Sequence, residues 1–155
     1  MKYLSYMLIL CAIAPAAFSQ PTFKSMDTLL TKNVEAINLK DSAYYLSLLN
    51  QPAIFKGKAL KTKADSLKIV KPFLQAFSDM IEELADFAGS SDMEVKFESY
   101  RSHSKASDDK ITGRILVHVN LLINNTFTVT VPFSIAAYNG TYAIESPMMV
   151  MFADN

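Results

Sequence analysis

The stretch ILVHVNLLINNTFTVTVPFSI, residues 115–135, decides how this chain folds. Ile115, Val117, Val119 and Leu121 alternate with His118 and Asn120. Beyond Asn124-Asn125, Phe127, Val129, Val131, Phe133 and Ile135 alternate with Thr128, Thr130 and Ser134. A period of two with one apolar and one polar face marks a strand buried on one side only. Asparagine tolerates the left-handed backbone of a tight turn, so the two runs predict antiparallel neighbours joined at Asn124-Asn125. The first run reaches back to Ile111. Upstream, Val95, Phe97 and Ser99 alternate with Glu94, Lys96, Glu98 and Tyr100, which predicts a strand ahead of the hairpin. Downstream, Asn139-Gly140 predicts a second tight turn into a strand from Thr141 to about Glu145. Pro147 interrupts it before the apolar residues 148–152.

Before the sheet the period is helical. Met26, Leu30, Val34 and Ile37 share one face, with Ser25 placed to cap the helix and Asp27 in its first turn. After a break at Leu39-Lys40, Asp41 caps a predicted helix over 42–49, which Asn50-Gln51-Pro52 stops. Ala53-Ile54-Phe55 reads as a brief strand turning at Gly57. Leu67, Val70, Leu74, Phe77, Ile81, Leu84 and Phe87 then hold helical spacing up to Gly89, a C-cap. Pro72 falls inside this pattern and either kinks the helix or restarts it after a leading turn. Three helices followed by a strand meander predict an α+β fold, with the helices on one face of a curved antiparallel sheet of four or more strands.

Length and charge narrow the possibilities. The chain has 155 residues, half of them hydrophobic, with 15 basic and 15 acidic side chains. That is enough for one domain with a proper core, and it lacks the basic footprint of a nucleic-acid binder. Residues 1–19 read as a signal peptide: Lys2, an apolar run too short to span a bilayer, then small residues ahead of Gln20. Residues 20–155 form the expected single domain, exported to a periplasmic or extracellular location, with no membrane span after cleavage. The one cysteine, Cys11, lies in the leader, so no disulfide or thiol chemistry is expected of the mature chain.

The run Val34-Glu35-Ala36-Ile37-Asn38-Leu39-Lys40-Asp41 leading into Tyr44-Tyr45-Leu46-Ser47-Leu48-Leu49 resembles the opening helix pair of the nuclear transport factor 2-like superfamily, which includes SnoaL-like and ketosteroid isomerase-like proteins. Members often hinge that pair at a Gly-Asp or Lys-Asp step. The order of elements agrees over nearly the whole mature chain, and with its leader the chain resembles small secreted bacterial members of unassigned role. The resemblance implies a cone-shaped α+β scaffold able to form a pocket, and dimerisation through the outer sheet face. The resemblance carries no catalytic residue over to this chain and leaves catalysis open.

Candidate residues are few. Ser99, Arg101 and His103 continue the parity of Val95 and Phe97. They would form a pocket rim on which Arg101 grips a carboxylate or phosphate, unless a bulge or an early strand end turns them outward. His118 lies by parity on the polar face with Arg114 and Asn120, where a general base would still need a partner. Lys56, Lys58, Lys61 and Lys63 open a lysine-rich segment that reads as a solvated loop or a charged partner surface. Asp79, Glu82, Glu83 and Asp86 form an acidic helix face beside it. Two isolated histidines supply no metal-ligand spacing, and no Gly-rich phosphate loop or nucleophile elbow occurs, so no cofactor or metal is expected. The leading expectation is a non-catalytic exported domain that binds a small molecule or a protein partner in the cell envelope. The alternatives are an isomerase- or dehydratase-type enzyme with acid–base residues in the cone, and a structural homodimer whose cone is filled by its own side chains.

Overall fold

Ser25 sets the start of the first helix, its hydroxyl accepting the Thr28 N–H in a computed structural model that describes residues 23–55, 62–102, 113–138 and 140–145. Helix α1, Met26–Leu39, ends where Lys40 takes the left-handed conformation (φ 52°) and donates its N–H to the carbonyls of Ala36 and Ile37. Asp41 then accepts the N–H groups of Ala43 and Tyr44, both at 2.9 Å, and opens α2, Ser42–Leu48. The Lys40-Asp41 step is therefore a C-cap followed at once by an N-cap.

Residues expected as a brief strand form a short helix instead: α3 is Gln51–Phe55. Pro52 sits in its first turn, where a missing N–H costs nothing because that donor has no helical partner. Helix α4, Lys63–Ala88, is one element of 26 residues, longer than the repeat of apolar residues alone indicated. Thr62 and Asp65 close a reciprocal capping box at its start, and Gly89 (φ 66°) ends it. Pro72 neither ends nor restarts the helix. It removes one donor to the Lys68 carbonyl on an exposed stretch, and burial of Val70, Leu74 and Phe77 holds the rest in register.

The four strands are β1 (Val95–Ser102), β2 (Gly113–Ile123), β3 (Phe127–Tyr138) and β4 (Thr141–Ile144), all antiparallel and in sequence order across one sheet. The sheet curls into a half-barrel with α1, α2 and α4 packed against it. Asn124 and Asn125 both have positive φ, and the Thr126 N–H reaches the Ile123 carbonyl at 2.9 Å, which closes the expected turn. Gly140 (φ 74°) lies in the second turn, with Tyr138 paired to Thr141. The edges are partly covered. Phe23 accepts the Tyr142 N–H, the Asn50 N–H donates to Ile144, and the Asn38 amide pairs with both backbone groups of Val95 at 2.8 Å.

Tyr45 stacks on Phe77 at 4.3 Å in the centre of the core, between α2 and α4. Among the phenylalanines, Phe77 and Phe133 are buried, while Phe73 and Phe97 pack partly exposed against the core. Phe87 and Phe127 are each 44% exposed. They sit at the last turn of α4 and the first residue of β3, where the layers end, and touch edge to face at 5.5 Å. The leader assigned to 1–19 and the apolar residues 148–152 lie outside the described residues.

Candidate functional site

The parity read from Val95 and Phe97 does not carry through β1. Phe97 pairs with Leu121 but Ser99 pairs with Asn120, so Glu98 is an extra residue in a bulge. One added residue moves every later side chain to the other face. Ser99 and Arg101 are accordingly exposed on the convex side, opposite Asn120 and His118, and Tyr100 takes the inward place opposite Val119. His103 lies outside the described residues, as do Lys56, Lys58, Lys61 and the side chain of Lys63, so neither proposed set is brought together here.

The inner rim position therefore belongs to Tyr100, which the uninterrupted alternation hid. Its ring lies 6.4 Å from that of Phe97. Burial, with Asp27 and Tyr142 nearby, pushes its phenol above the usual range. A phenol held protonated in this way can donate a hydrogen bond but offers no base at neutral pH.

On the convex face several polar side chains satisfy one another, while the covered Ser134 hydroxyl has no hydrogen-bond partner. Asn120 donates to Ser99 at 3.0 Å and accepts from Thr130 at 2.8 Å, a ladder across three strands. Thr128 donates to Glu98 at 3.1 Å. Arg114 pairs with Glu145 at 2.6 Å, which raises the arginine further. Between these groups lie Leu116, 47% exposed, and the partly covered Leu122, Pro132 and Ala136. His118 sits in register between Arg101 and Pro132.

The concave face is different in kind. Ile115, Val117, Val119, Leu121, Ile123, Val129, Val131, Phe133, Ile135 and Ala137 expose between 0% and 5% of their surface. A void large enough to hold a ligand would leave accessible area on its walls, so at these ten positions the cone is filled. Buried polar residues among those described are Asn33 and Ser66. Asn33, 1% exposed on α1, has no hydrogen-bond partner for either amide atom, a local cost inside an otherwise apolar layer.

Among the described residues, open hollows border α1 and α4. One of about 560 Å³ separates α1 from β1, lined by Val34, Asn38, Leu39 and Phe97, with Glu35 and Lys96 as charged members. Another of about 380 Å³ follows α4 past Lys68, Lys71 and Gln75. The acidic face of Asp79, Glu82, Glu83 and Asp86 is exposed, as the helical spacing indicated. Near the first hollow Glu35 accepts from Lys32 at 2.7 Å and from the Tyr44 hydroxyl at 3.0 Å. The two donors, Lys32 first, hold its carboxyl below the usual range, and Lys32 rises in return. Tyr44 is raised by burial and then by Glu35. These are surface contacts on a helix pair and brace it.

No group of three or more metal-ligating side chains occurs among the described residues, and no described helix is long and apolar enough to cross a membrane. Comparison with known proteins brings no match, whether to protein-family models, curated proteins or solved structures.

Proposed function

We propose that this chain is an exported, non-catalytic domain of the nuclear transport factor 2-like type whose cone is filled by its own side chains and which works through its convex sheet face. The observation that carries the reading is the closure of the concave face, where ten inward side chains expose 5% or less. A small-molecule enzyme or carrier of this type needs an open cavity with convergent polar groups. The left-handed Lys40 followed by the Asp41 cap, and the curled sheet, support the superfamily reading.

The partner on the convex face is a second copy. Its Ser99, Asn120 and Thr130 groups already have hydrogen-bond partners, so covering them orphans little. Leu116 supplies exposed apolar surface in the middle of β2. Light scattering at micromolar concentration is expected to give twice the chain mass. Leu116→Asp is expected to give the monomer mass with unchanged circular dichroism, because a two-fold contact would bury both introduced charges. A monomeric unsubstituted protein overturns the dimer reading.

A further inference from the structure

Helix α4 carries its exposed charge in two blocks. Lys68 and Lys71 lie in its first half, and Asp79, Glu82, Glu83 and Asp86 follow in its second. At about 100° per residue, Lys68, Lys71, Gln75, Asp79, Glu82 and Asp86 share one stripe about 80° wide. All six are exposed. Val70, Leu74, Phe77 and Leu84 lie on the opposite side of the helix and enter the core.

Local structure does not account for this segregation. Like charges three or four residues apart destabilise a helix. α4 sets Lys68 beside Lys71, Asp79 beside Glu82 and Glu83, and Asp86 beside both glutamates. Asp86 also lies in the last turn, where the helix dipole favours a cation and no basic residue is present. Among the described residues no ion pair involves any of these charged side chains. Asp79 accepts a hydrogen bond from Gln75 at 2.7 Å.

We propose that a second copy of this chain docks on the stripe, with the two α4 helices antiparallel about a two-fold axis at Gln75. Charge complementarity in that register carries it. Lys68 and Glu82 each lie seven residues from Gln75, and Lys71 and Asp79 each lie four. Reversing one helix about Gln75 therefore brings Lys68 level with Glu82 of the second copy, and Lys71 level with its Asp79. The two-fold axis repeats both pairs on the other side. Surface ion pairs each contribute little, so the contact is weak and salt-sensitive. It lies on the helix layer, away from the convex sheet face, and is independent of the pairing proposed there.

Sedimentation equilibrium of the full chain carrying Leu116→Asp reads this contact apart from the convex face. Reversible dimerisation is expected at submillimolar concentration in about 20 mM salt, weakened at least about tenfold in about 500 mM salt. Two charge variants test the pairing. Lys68→Glu with Lys71→Glu makes the stripe wholly acidic, and Asp79→Lys with Glu82→Lys makes it basic except at Asp86. Each alone is expected to stay monomeric, while an equimolar mixture dimerises at least as tightly as the parent. The register has its own readout in a Cys11→Ser background. Gln75→Cys lies on the axis and is expected to form an intermolecular disulfide on mild oxidation. Asp86→Cys is expected to do so at least about tenfold more slowly, its two copies lying about 33 Å apart along the pair. The proposal is overturned by the absence of a dimer at low salt, or by a dimer that salt and both charge variants leave unchanged. A mixture that stays monomeric, or equal cross-linking at the two cysteine positions, overturns it as well.

Discussion

Phe77→Ala is expected to remove about 3–5 kcal/mol of stability, enough to lower Tm by roughly 10–20 °C for a domain of this size. Phe77 is 1% exposed, and its ring stacks on the fully buried Tyr45 at 4.3 Å. Truncation deletes the largest side chain that α4 puts into the core and leaves a void beside a rigid aromatic neighbour. The walls of that void come from α2 and α4 together, so it collapses poorly and the cost sits at the upper part of the range. Phe87→Ala on the same helix supplies the control. Phe87 is 44% exposed, so its loss is expected to cost less than half as much in the same chemical-denaturation experiment. Equal costs at the two positions would mean that the core is centred elsewhere.

The second large effect comes from a polar group. Asn38→Leu is expected to cost about 2–4 kcal/mol, although the two side chains have similar volume. The Asn38 amide accepts from the Val95 N–H and donates to the Val95 carbonyl, both at 2.8 Å, as a neighbouring strand would. Val95 is 1% exposed, so leucine leaves a donor and an acceptor at the strand edge with no partner and little access to water. Since the amide also ties α1 to β1, exchange of the Val95 amide is expected to accelerate before global unfolding does. Denaturation midpoints and that single amide measure the two consequences separately. An unchanged Val95 exchange rate would show that water replaces the side chain without loss.

Much of this architecture was legible because it rests on local chemistry. Ser25, Asp41 and Gly89 act as the caps their residue types suggest, and Asn124-Asn125 turns where two alternating runs meet. The Thr62–Asp65 capping box is an equally local signal that the reading by apolar repeat passed over, and in the structure it starts α4 at Lys63. The bulge at Glu98 was not legible. Alternation in β1 continues past it in the sequence, and only the curl of the sheet and the pairing with β2 choose where the extra residue goes. That one residue moved Ser99 and Arg101 from the expected rim to the convex face and put Tyr100 in their place. Phe87 and Phe127 lie on apolar stripes yet are each 44% exposed, for a related reason. Periodicity gives the direction a side chain points, while the ends of the layers decide how much lies over it.

Whether a cone is open or filled is also a matter of volume, which no residue pattern states. Here the answer rests on the walls: Val117, Val131 and Leu121 show no accessible surface. Titration with benzene, followed through the methyl resonances of Val117, Val119, Leu121 and Val131, tests that closure most directly. The filled cone predicts no saturable shift and no change in Tm, since an apolar cavity of about 150 Å³ would be needed to hold the ring. Saturable shifts at those methyls, with a Tm that rises with benzene concentration, would contradict it and return the protein to the ligand-binding class.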